Sequence, residues 1–243
     1  MGIKKTGGFT IIESMLFLAI TGLIMAVMLT GLTVSLNRER YHDAVNSTLD
    51  YMQGQYNLVA NVNNSREPND TCVGGAIIVG CQADTGRGTS DCTIVGRVIY
   101  TNPTGLYVES SQVYATVDAR TLPLSPGDSD AKVLGDAKLI RSPNRERFDI
   151  GWGTKLVRPA PDSTTNSVFS ILIVRMPTNG LIHTYALNET DKLPGDIVGN
   201  PITTGGLKTC IDASGLITTG VGRVGIKIAE NAVNSSGVTF LPE

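Results

Sequence analysis

Between Ser14 and Asn37 the chain carries no charged side chain, and Leu, Ile, Met, Val and Ala dominate the run. About 20 predominantly apolar residues cross a bilayer as a helix, so this stretch is long enough to span. One acid, Glu13, interrupts an apolar segment that begins at Phe9. Three readings compete for it. A secretory signal has a shorter apolar core followed by a small-x-small cleavage site. Here the run is too long, and it passes into Thr33-Val34-Ser35-Leu36-Asn37-Arg38 without such a site. A plain membrane anchor fits the length but accounts for neither the Gly7-Gly8 pair nor the acid.

The third reading rests on a motif. Residues 1–8 are short and basic, with Lys4 and Lys5, and end on Gly7-Gly8. The string Gly7-Gly8-Phe9-Thr10-Ile11-Ile12-Glu13-Ser14 resembles the cleavage and N-methylation motif of type IV prepilins and type II secretion pseudopilins. Basic leader, Gly, Phe, Glu and apolar run all stand at the family's spacing. The resemblance implies that a prepilin peptidase cuts between Gly8 and Phe9 and methylates the new amine at Phe9. It implies that Glu13 then serves filament assembly by pairing with the Phe9 amine of a neighbouring subunit. The partners it implies are other pilin subunits in a helical filament, the peptidase, and an inner-membrane assembly platform. The chain would be a single-pass membrane protein with its head outside the cytoplasm, later part of a surface or periplasmic filament.

Elementary chemistry agrees with that pattern. Gly8 lacks a Cβ and leaves the scissile bond unhindered. Lys4 and Lys5 favour the cytoplasmic side; Arg38 and Arg40 beyond the run weaken the charge bias, so orientation rests on the motif. An acid at mid-helix in lipid costs about 2.5–3.5 kcal/mol on insertion scales, so Glu13 wants a partner even at its shallow position. Major type IV pilins commonly have a kinking Pro in the apolar stretch, and none stands between Phe9 and Asn64. That departure, with a mature chain larger than typical major pilins, points to a minor pilin or pseudopilin.

Beyond Asn37 the helical pattern continues. Tyr41, Val45, Leu49, Met52, Tyr56 and Val59 recur at three- or four-residue steps, which draws one apolar stripe. Gly54 falls inside the pattern as a weak point, and the Asn-rich stretch 61–65 with Pro68 ends it. The chain therefore divides into a leader (1–8), a transmembrane and assembly helix (9–36), its amphipathic continuation (37–62) and a β-rich head (63–243). In the head, strands at 94–101 and 106–117 flank Asn102-Pro103-Thr104-Gly105, and strands at 168–176 and 181–187 flank Pro177-Thr178-Asn179-Gly180. Both are turn signals. Strands at 208–212 and 216–219 flank Ala213-Ser214-Gly215, with a last strand at 223–229. The polar connection 120–147 reads as a long surface loop or an insertion. The predicted fold class is α+β: a long N-terminal helix packed on an antiparallel sheet, with one core.

Two histidines, His42 and His183, supply no credible Ser-His-Asp or Cys-His set, so no enzymatic activity and no cofactor is expected. Gly220-Val221-Gly222-Arg223-Val224-Gly225 matches the dinucleotide-binding pattern, yet the local sequence reads as a turn then a strand, where that site needs a helix. Asp128 and Asp130 sit in a loop where calcium is conceivable, without the EF-hand spacing. Cys72, Cys81, Cys92 and Cys210 form no Cys-x-x-Cys pair. Outside the cytoplasm they are disulfide candidates, with Cys210 expected to tie the C-terminal sheet to the loop region. Finally, Lys138, Arg141, Arg145, Arg147, Lys155 and Arg158 surround Phe148 and Trp152. Basic residues interleaved with aromatics suit a nucleic-acid surface, and a solvated face is the plainer alternative. The expected function is thus a structural filament subunit of a type IV pilus or type II secretion-like machine. The alternative is a filament-borne binding module, a DNA receptor or adhesin.

Overall fold

The computed structural model describes residues 10–61, 70–73, 76–79, 92–117, 125, 127–162, 164–202, 204–213, 216 and 223–242. A single helix, α1, runs Ile11–Ala60 without a break, about 75 Å at 1.5 Å per residue. Thr10 caps its start and Asn61 its end. Gly22, Gly31 and Gly54 all lie within this continuous helix.

The helix has two halves of opposite character. Large apolar side chains between Ile11 and Leu36 are exposed, Leu16 to 61% and Leu32 to 60%. From Asn37 onward one face is covered, and the stripe Tyr41, Val45, Leu49, Met52, Tyr56 and Val59 is buried as its spacing predicts. That stripe meets the inner faces of two antiparallel sheets in one core cluster.

The larger sheet contains β3 (Thr93–Thr101), β4 (Tyr107–Ala115), β5 (Leu139–Arg141), β6 (Glu146–Asp149), β8 (Ser170–Arg175) and β9 (Ile182–Leu187). Its order is β5-β4-β3-β8-β9, with β6 also paired to β4. The smaller sheet has the order β12-β11-β10-β7, formed by β7 (Lys155–Val157), β10 (Leu207–Asp212), β11 (Val224–Ile228) and β12 (Val238–Pro242). A separate pair, β1 (Asp70–Val73) and β2 (Ala76–Val79), completes the strands described. Ile99, Val108, Ile171 and Ile173 from the first sheet and Leu156, Ile211, Ile226 and Ile228 from the second meet α1. The Tyr41 hydroxyl joins helix to sheet, donating to the Ile211 carbonyl (2.9 Å) and accepting from the Val224 N–H (2.8 Å).

Both hairpins read from turn chemistry are present: Thr101 pairs Val108 across one, and Arg175 pairs Ile182 across the other. Four expectations need correction. The connection 120–147 is not one irregular loop, since its later part holds α2 (Asp130–Asp136), β5 and the start of β6. Strand β10 pairs with β11 and β7 rather than with 216–219, where Leu216 lies in a bend and residues 217–219 lie outside the described residues. Strand β11 is not the last, because β12 continues the sheet. The single core is joined by a second cluster on the opposite face of the larger sheet. There Val98, Val113, Leu172 and Val174 are covered by Val133, Leu134 and Ala137 of α2 and its end, and by Ile197 and Val198 of α3 (Pro194–Gly199).

Candidate functional site

The N-terminal segment begins at a capping box. Thr10 Oγ1 accepts from the Glu13 N–H at 3.3 Å, while the Glu13 carboxylate accepts from the Thr10 N–H and hydroxyl, both at 2.9 Å. Such reciprocal bonds satisfy donors that a helix start leaves orphaned. Glu13 therefore has local partners where it enters the apolar run. Gly7, Gly8 and Phe9, where cleavage and methylation are expected, lie outside the described residues. From this cap α1 continues as a helix long and apolar enough to cross a membrane, with none of its apolar window buried among the described residues.

Three of the six basic residues face carboxylates. Arg141 bonds Asp191 (2.6 Å), and Arg145 reaches both Glu109 (3.1 Å) and Asp191 (3.4 Å). Arg147 donates through Nε to Asp149 at 2.8 Å, and that bond raises its pKa above the ordinary guanidinium value. The guanidinium carbons of Arg141 and Arg145 stand 5.2 and 5.1 Å from the Tyr100 ring centroid, and Arg147 stands 3.8 Å from that of Tyr107. Burial pushes the Tyr100 phenol up to about 12. Three arginines facing Glu109, Asp149 and Asp191 leave little net field for a phosphate backbone, whose binding draws on uncompensated cations. Lys155 belongs to the other sheet, in β7, while Lys138 precedes β5 and Arg158 follows β7. Trp152 is turned toward α1 instead, its Nε1–H donating to Asp43 at 2.8 Å.

The remaining candidates are also accounted for locally. Asp128 accepts from the Ser125 N–H (2.9 Å) and from Lys132 (3.2 Å), which holds its carboxyl below the usual range, the backbone bond first. Asp130 stands 3.2 Å from His183 Nδ1. Among the described residues no group of His, Cys, Asp or Glu side chains stands close enough to hold a metal ion. Gly225 sits inside β11, and the pattern's earlier glycines lie outside the described residues.

Cys92 is disulfide-bonded. Cys210, expected to carry a bridge, is instead a buried thiol in β10, opposite Val157 and Gly225. The side chains of Cys72 and Cys81 lie outside the described residues. A covalent tie was expected because Cys210 lies in a late strand, far in sequence from the other cysteines. The extra strand β12 and the helix stripe supply the attachment.

Two clusters escaped the sequence reading. Arg97, 6% exposed, is ion-paired to Glu146 and donates to Ser110 at 3.0 Å; the signal was an Arg inside an otherwise apolar strand. At the root of the head, Trp152, Asp43 and Arg40 meet, with the guanidinium 4.9 Å from the ring centroid. Arg40 and Asp43 stand off the apolar stripe of α1, and Trp152 drew notice only as an aromatic among the basic residues. Comparison with family models, with characterised proteins and with solved structures finds no match to this chain.

Proposed function

We propose that this chain is a non-enzymatic filament subunit of the prepilin class, a minor pilin or pseudopilin that assembles through α1 after leader cleavage. The observation that carries the reading is the division of α1: an uncovered apolar half continuous with a half whose stripe is locked into the head. Burying each large apolar side chain gains about 1.5–3 kcal/mol, so residues 11–36 need lipid first and neighbouring helices after extraction. The unbroken helix gives the head a rigid stalk for that transfer. The leader motif then supplies direction, processing and the amine that Glu13 is to meet. In this reading the chain passes from the membrane, head outside the cytoplasm, into a pilus or secretion-type filament through an assembly platform. A DNA-receptor role has less behind it, because Arg141, Arg145 and Arg147 already face carboxylates.

Co-expression with a prepilin peptidase tests the processing step. Wild-type chain should lose residues 1–8, and Gly8→Val should stay at precursor length because a branched side chain crowds the scissile bond. Equal processing of both would remove the support that the leader motif lends.

A further inference from the structure

Trp152 is the single tryptophan of the chain, and it is held outward at the root of the head. It is 49% exposed although its neighbour Ile150 is buried. Its backbone is left-handed, at φ 61° and ψ 24°, a conformation that is an outlier for a bulky residue. Such strain persists only where the surroundings impose it. Here they do, through the bond to Asp43 and the stacking of Arg40. The ring is thereby fixed beside α1 rather than folded into the core.

Its height along the helix matters. Arg40 and Asp43 lie four and seven residues past Leu36, about 6 and 10 Å along the axis. A hydrocarbon core of about 30 Å takes about 20 residues, fewer than stand between Ile11 and Leu36. Setting the surplus at the Glu13 end keeps that acid out of the hydrocarbon and brings Leu36 to the opposite boundary. The head-group layer reaches roughly 5–7 Å farther. Helical side chains lean toward the N-terminus, so Arg40 and the ring stacked on it fall at head-group level. Arg38 and Arg40 are both exposed there. Tryptophan is enriched at this layer because its ring has an apolar body and a polar N–H.

We propose that the base of the head docks on the surface of the bilayer that α1 crosses, with Trp152 in the head-group layer and Arg38 and Arg40 at lipid phosphates. This rests on the membrane-spanning reading of α1. Because Trp152 has no other tryptophan to mask it, the unaltered full chain reports on itself. It is reconstituted in vesicles of phosphatidylethanolamine and phosphatidylglycerol, and its emission compared with and without spin-labelled lipid. The expected result is shielding from aqueous iodide, with quenching stronger from a head-group label than from a label at mid-chain. A chain that resists alkaline extraction while its emission stays open to iodide and indifferent to labelled lipid overturns the docking and leaves the span intact. Shielding from iodide without quenching by any labelled lipid also overturns it, since a second copy then covers the ring. Release by alkaline extraction would instead overturn the spanning reading and the docking with it.

Discussion

Glu13→Leu is expected to be cleaved and membrane-bound, yet almost absent from sheared filaments. The apolar helix should insert as well or better without the acid. Joining the proposed filament is different, because a methylated amine at Phe9 would then have no carboxylate opposite it. Leaving one member of a buried ion pair alone costs about 3–5 kcal/mol, so incorporation should fall by about 100-fold or more. The structure adds a rival explanation: the same substitution dismantles the Thr10–Glu13 capping box. Glu13→Gln separates the two, since Gln serves at this cap position but carries no charge. The inter-subunit account expects Glu13→Gln to fail as Glu13→Leu does. Incorporation of the Gln variant at wild-type level would assign the role to the cap. If Glu13→Leu also incorporates fully, the acid recruits nothing, and a tip-like position that needs no acid becomes the better description.

The head offers a second large effect, from one methyl group. A Cβ at Gly96 would stand 2.2 Å from the Ile173 carbonyl oxygen and 2.9 Å from the Val174 Cα, both backbone atoms of the adjacent strand β8. Neither can turn aside as a side chain would. Gly96 also adjoins the register shift between Ile94 and Gly96 that fits β3 to β4. Gly96→Ala should therefore lose about 1–3 kcal/mol or more, which lowers Tm by several degrees for a domain of this size. Gly54→Ala is the matched control, because nothing approaches that position in α1 and Ala is favoured over Gly by about 1 kcal/mol in a helix interior. A thermal melt of the full chain in detergent should order the variants Gly54→Ala, wild type, Gly96→Ala. If Gly96→Ala melts with wild type, β3 and β8 are not paired as described.

Which parts of this molecule were legible beforehand depends on how local their causes are. The long helix is written in a 3.6-residue stripe plus an uncharged run, both properties of contiguous sequence. The β8–β9 hairpin is written in Asn179-Gly180, and Gly180 does take the positive φ, 73°, that the turn requires. Helix α2 was hidden in a stretch rich in Asp and Gly. Its signals were a Ser129 side chain accepting from the Lys132 N–H and the spaced apolar residues Val133, Leu134 and Ala137. With so few residues, these make a helix only when the outer face of the larger sheet covers them. The same holds for α3, whose Pro194 opens the first turn. Strand β12 exists because β11 offers it an edge, which no local pattern announces.

The site was legible unevenly for the same reason. The leader string and the exposed run are contiguous, and they carry the functional proposal. The basic stretch shows the limit of charge counted along the chain, which ignores what stands across the sheet: Glu109 comes from β4, and Asp191 follows β9. Cys210 misled similarly, since cysteine arithmetic is blind to the strand neighbours that already bury it.

Processing as a prepilin is the central claim, and the intact mass of the native protein from its own membranes tests it most directly. The expected species begins at Phe9 and carries one N-terminal methyl group. A chain that still begins at Met1, or one cut after the apolar run, would contradict it.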